Sequence, residues 1–125
     1  MSRRATAALG LVGAAAIAAV AVPSGSAKES FDLKGEVYGN AQFKIEMKNA
    51  AGRKLTRIKA GTYRIKIEDK ATIHNFRLTG PGVNRATSTP RTTETIWRVR
   101  LKPGRYVFVC DPHASMMRGS FRVVK

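Results

Sequence analysis

The sequence predicts an all-β sandwich of seven to eight short strands joined by Greek-key connections. Three observations carry that reading. From about residue 30 onward apolar and polar residues alternate with a period of two, the alternating runs are rich in β-branched and aromatic residues, and Gly or Pro marks the breaks between them. Short strands at that density suit two antiparallel sheets packed face to face.

The first 27 residues stand apart. Arg3 and Arg4 precede an alanine-rich apolar stretch, Ala5 to Val22, and then the small residues Pro23-Ser24-Gly25-Ser26-Ala27. This is the pattern of a secretory signal, with cleavage expected after Ala27 and residues 28–125 left as one domain. If retained, the segment would act as a membrane anchor, although its apolar run is near the lower limit for a span. Ser2-Arg3-Arg4 also resembles the start of a twin-arginine signal, without the apolar residues that usually follow. The protein is therefore expected in the periplasm or outside the cell, or at the membrane surface if the segment stays.

The strands follow in order. Phe43-Lys44-Ile45-Glu46-Met47-Lys48 and Tyr63-Arg64-Ile65-Lys66-Ile67-Glu68 alternate strictly. Ile73 to Leu78 reads as a strand with His74, Phe76 and Leu78 on one face and Ile73, Asn75 and Arg77 on the other. Ile96–Leu101 alternates loosely, Tyr106–Val109 is continuously apolar, and Phe121–Val124 closes the chain. Asn49–Gly52, Lys59-Ala60-Gly61, Gly80-Pro81-Gly82 and Lys102-Pro103-Gly104 supply the turns, and Gly80 to Thr93 reads as the longest irregular stretch. No helix is expected inside the domain. Met47 and Trp97 read as core.

Without Arg3 and Arg4 the chain keeps 21 basic against 8 acidic residues. The cations are scattered, so they do not form a disordered basic tail. They imply attraction to an acidic redox partner or an anionic membrane surface. Export argues against nucleic acid, and the chain is expected to be a monomer.

One segment carries chemistry. Cys110-Asp111-Pro112-His113-Ala114-Ser115-Met116-Met117 holds the chain's single cysteine and one of its two histidines, and His74-Asn75 holds the other. A lone cysteine cannot form an internal disulfide, so an exported chain needs another means of protecting it. Pro112 forces a turn that brings His113 back toward Cys110. Met116 and Met117 lie further along the same loop, and His74 arrives from a separate strand. Thiolate, imidazole and thioether form the donor set that copper selects, and His₂Cys with a weak axial Met defines a type 1 site. Asn75 is placed to brace the ligand loop. His113, on a loop, is expected at the exposed edge, with Pro81, Pro112 and Ala114 as its apolar surroundings.

Val109–Val124 resembles the ligand loop of small blue copper proteins of the plastocyanin, pseudoazurin and amicyanin group, and Ile73-His74-Asn75-Phe76 resembles the strand bearing their first ligand. The resemblance implies a cupredoxin-type sandwich, one type 1 copper per chain and one-electron transfer. It assigns His74, Cys110 and His113 as the equatorial ligands. Met-x-Gly before the last strand selects Met117 as the axial ligand, whereas an amicyanin-like spacing selects Met116. Copper enzymes of similar fold need further histidines, and none remain after His74 and His113, so no enzyme is expected. Copper storage, delivery or sensing is the alternative to electron transfer.

Overall fold

A computed structural model describes residues 29–125; residues 1–28, with the expected export signal and its cleavage point, lie outside the described residues. Nine strands follow in chain order: β1 (Leu33–Val37), β2 (Ile45–Asn49), β3 (Arg57–Lys59), β4 (Gly61–Asp69), β5 (Arg77–Gly80), β6 (Val83–Ala86), β7 (Thr93–Leu101), β8 (Gly104–Val109) and β9 (Arg118–Val124). They form a four-stranded sheet in the order β2-β1-β4-β7 and a five-stranded sheet in the order β3-β9-β8-β5-β6. The order interleaves strands distant in sequence, so long connections cross between the sheets.

The period-two pattern sets the faces. In β4, Ile65 and Ile67 are buried and Arg64, Lys66 and Glu68 face outward. Nine register pairs tie β4 to β7, among them Ile65↔Trp97 and Tyr63↔Val99. From the other sheet, Leu78, Tyr106, Phe108, Phe121 and Val123 fill the space opposite. Phe76 lies parallel to Phe108 at 6.1 Å and edge-on to Trp97 at 6.1 Å, linking the two layers. Met47 and Trp97 are core, as expected. At one end of the sandwich the Tyr106 hydroxyl donates to the Pro81 carbonyl at 2.7 Å and accepts from the Lys102 N–H at 2.9 Å. Cys110 leaves β8 at the other end.

Several expectations are corrected. Among the described residues there are nine strands rather than seven to eight, because β3 (Arg-Ile-Lys) and β6 (Val-Asn-Arg-Ala) are too short and polar to show a repeating pattern. Strand β6 lies inside the stretch read as irregular. The sheets are mixed rather than antiparallel, since β1 runs parallel to β4 and β3 parallel to β9. A single 3₁₀ turn, Asp111–His113, interrupts the otherwise helix-free described residues, with Pro112 supplying a ready-made helical φ.

The run from Ile73 to Leu78 is a strand only from Arg77. Before it the backbone is held by side chains instead of a sheet partner. Asn40 and Thr72 exchange hydrogen bonds of 2.8 and 3.0 Å, and the Phe76 N–H donates to the Thr87 hydroxyl at 2.9 Å. Strict alternation therefore fails there, and Asn75 is buried between the buried His74 and Phe76 rather than facing out with Ile73. Among the described residues no helix is long and apolar enough to cross a membrane.

Candidate metal centre

The ligand loop is closed by its own backbone. The Cys110 N–H donates to the Met117 carbonyl at 3.0 Å, which joins the end of β8 to the start of β9. Inside that closure the His113 N–H donates to the Cys110 carbonyl at 3.1 Å, and the N–H groups of Met116 and Met117 both donate to the His113 carbonyl. The eight residues from Cys110 to Met117 thus fold into a compact turn that aims Cys110 and His113 at the same point. Gly119 completes the entry to β9: any side chain there would collide with the Phe108 ring.

His74 reaches this point from the irregular segment before β5. Its Nδ1 lies 3.1 Å from His113 Nδ1 and 3.8 Å from Cys110 Sγ, and the sulfur lies 3.5 Å from His113 Nδ1. A triangle with those sides has its centre about 2 Å from each corner, close to the roughly 2.0–2.3 Å of metal–imidazole and metal–thiolate bonds. The two facing nitrogens cannot both carry a proton at that separation. Three electron-pair donors aimed at one point fit a single soft or borderline metal ion such as copper.

The surroundings divide the donors by depth. Cys110 and His74 are fully buried, while His113 is half-buried. Of the two methionines only Met117 is inside, 1 % exposed against 63 % for Met116. Burial pushes the His74 imidazole below its usual range, and the neighbouring His113 pushes it the same way, against opposition from the Gln42 and Ile73 backbone. His74 is thus kept neutral, the form that ligates. Its Nε2 is buried with no partner at hydrogen-bonding geometry.

Asn75 and Asp111 bind the two ligand segments together. Asn75 Nδ2 donates to Asp111 Oδ2 at 2.8 Å, and the Asp111 N–H donates to Asn75 Oδ1 at 2.8 Å. Arg77 then grips the same carboxylate through Nε at 2.9 and 3.1 Å and Asn84 through Nη1 at 2.7 Å. The Arg77 guanidinium, with help from Asn75, holds the Asp111 carboxyl below the usual range against the effect of burial.

The structure brings together His74, Cys110 and His113, with Asn75 hydrogen-bonded to Asp111 of the loop and Met117 in the core with Cys110. It corrects the apolar surroundings of His113. Pro81 lies at the Tyr106 hydroxyl end, a whole strand away from Cys110, because β5 carries the chain there before turning. Among the described residues the exposed large apolar side chains are instead Phe43, Ile73 and Met116. Phe43 stands edge-on to both imidazoles, at 5.1 Å from His74 and 4.8 Å from His113. Sequence reasoning read Phe43 as the start of a strand and missed this role, as it missed Arg77 and Thr87. Only the opposite charges of Arg77 and Asp111 offered a signal.

No family model matches the sequence, and no curated protein matches it. Solved structures do. Reduced rusticyanin superposes with a TM-score of 0.54 over 73% of this chain and 77% of its own, at 19% identity. A methionine-to-glutamine variant of rusticyanin gives 0.51 over 73% and 75%, at 18% identity. The chain has the cupredoxin fold. An oxidised plastocyanin from Dryopteris crassirhizoma also matches, covering 72% of this chain and 98% of its own at 20% identity, with a TM-score of 0.44. At these identities the cupredoxin likeness establishes the fold, and the reading of the site rests on its own geometry.

Proposed function

We propose that this chain is an exported type 1 copper protein that carries single electrons between redox partners. The observation that carries the reading is the convergence of His74 Nδ1, His113 Nδ1 and Cys110 Sγ on one point at the end of a cupredoxin sandwich. His74, Cys110 and His113 would hold the ion, and Met117, the buried methionine of the loop, would be the fourth ligand in preference to Met116. Copper bound there would supply a one-electron Cu(II)/Cu(I) couple.

The chain's own residues suit that use. The loop closure from Cys110 to Met117 and the Asn75–Asp111 pair hold the donors in place whatever the oxidation state, which limits rearrangement during transfer. Buried Cys110 and His74 keep water and competing thiols away. Half-buried His113, beside the exposed Phe43, offers the short way out to a partner. Copper delivery would require ligands that a recipient can reach, and two of the three here are fully enclosed. The chemistry is transfer rather than turnover, since both histidines of the chain are already in this site.

The test is a Cu(II) titration of the purified protein followed by visible absorption. An intense thiolate-to-copper band, bleached reversibly by a mild reductant and absent in Cys110→Ser, is the expected result. Weak binding that ignores Cys110 would overturn the reading. Tight binding with fast release to a chelator would favour copper handling instead.

A further inference from the structure

Seven of the eight acidic residues of the chain are engaged away from one face of the molecule, and the eighth, Asp111, is taken up by Arg77 at the ligand-loop end of that face. Glu36, Glu46, Glu68 and Glu94 lie on the four-stranded sheet and pair there with Lys34, Lys44, Lys48, Lys66 and Lys70. Glu29 pairs with Arg64, Asp32 accepts from the Arg64 N–H, Asp111 holds Arg77, and Asp69 is buried. Residues 1–28 contain no Asp or Glu.

The outer face of the five-stranded sheet is left cationic. Arg57 of β3 is in register with Arg122 of β9, and Arg122 is in register with Arg105 of β8. All three are exposed, and among the described residues none has an ion-pair partner. Lys59 and Arg118 point to the same face by strand alternation. Like charges directly opposite across strands are destabilising. Protection of a sheet edge explains cations on β3, but β9 and β8 are interior strands with no edge to protect. The row costs the isolated fold something, and a ligand of opposite charge would offset it.

Its spacing narrows that ligand. Neighbouring strands lie about 4.8 Å apart, so the row spans roughly 10 Å. Carboxylates at i, i+4 and i+7 of an α-helix span about 10.5 Å on one face, whereas those at i, i+2 and i+4 of a strand span about 13 Å. Guanidinium forks pair with carboxylates two bonds at a time. Among the described residues the face presents no aromatic side chain of the kind that anchors a surface in lipid. We propose that the Arg57–Arg122–Arg105 row docks an acidic α-helix of a partner protein, its carboxylates striped along one side. The inference rests on the electron-carrier reading only in calling that partner a redox protein.

The test uses the copper-loaded full chain and a labelled, alanine-rich helical peptide with glutamates at i, i+4 and i+7, followed by fluorescence anisotropy at low salt. Binding that weakens by at least about tenfold in Arg122→Glu, against a few-fold in Arg98→Glu on the other sheet, is expected. Thermal stability of Arg122→Glu should rise, because the central like charge is removed. Equal weakening in the two variants would reduce the effect to net charge and overturn the proposal. So would equal binding of a peptide with its glutamates spread round the helix, or binding only to phosphatidylserine vesicles. None of these outcomes touches the thiolate–copper band, so failure here is separate from failure of the copper site.

Discussion

Asn75 and Asp111 exchange two hydrogen bonds of 2.8 Å, one donated by the Asp111 backbone N–H and one donated to its carboxylate, and so clamp the His74 segment to the Cys110 loop. The third bond of Asn75, to the Thr87 carbonyl at 3.2 Å, extends the clamp to the end of β6. His74 has no strand partner of its own at this point, so its position depends on these side-chain bonds.

Replacing Asn75 by Leu should therefore do more than lose packing. It leaves the part-buried Asp111 N–H without its acceptor and takes a donor from the carboxylate, at a cost of about 1 kcal/mol. Copper should also leave faster, because the two ligand segments are no longer tied. Denaturant melts and the rate of copper loss to a chelator measure the two effects. Lost stability with unchanged copper retention would confine Asn75 to a structural role.

The two methionines separate by burial. Met117→Leu keeps the volume of a core residue and should cost less than about 1.5 kcal/mol. With Met117 as the proposed fourth ligand, it should nevertheless shift both the absorption band and the reduction potential. Met116→Leu, at a position 63 % exposed, should leave both unchanged. A shift confined to Met116→Leu would reverse the assignment.

How far the sequence carries the architecture depends on whether a residue's role is local. Cys110, Pro112 and His113 are three steps of one turn, so their convergence is visible in spacing alone. Ile65, Ile67, Val99 and Phe121 sit in alternating strands whose faces follow from period two. Asn75 breaks that rule because its neighbours are held by Thr87 and Asn40 rather than by a ladder, and those partners are distant in sequence. Phe43 was misread for the same reason: only the fold brings it beside two histidines. Strands β3 and β6 exist because a neighbouring strand offers hydrogen bonds, not because Arg-Ile-Lys or Val-Asn-Arg-Ala demands extension. The parallel pairs were likewise hidden, since strand direction within a sheet is set by topology.

Asp69, at the end of β4, gives the fold a pH dependence. Its carboxyl is 1 % exposed, with Oδ2 unpartnered, and burial raises its pKa to about 6 although the Ala71 N–H and the Thr87 hydroxyl favour the charged form. The folded state therefore holds this proton more tightly than the unfolded chain, whose carboxyl titrates near 3.8. The stabilisation from Asp69 is fully present below about pH 4 and is lost as pH rises through about 6. Glu68, Lys70 and Glu94 line the same cleft. Lys70 is paired with Glu36, and the Lys34 and Lys66 ammonium groups outweigh burial to hold the Glu68 carboxyl below its usual range. Asp69→Asn keeps the acceptor for Ala71 and removes the charge. At pH 7 the variant should be more stable than the parent by up to about 3 kcal/mol, an advantage that vanishes near pH 4. Melting curves of the two proteins from pH 4 to 8 measure the gap. Parallel curves across that range would mean that the charged carboxylate finds a compensating partner in solution.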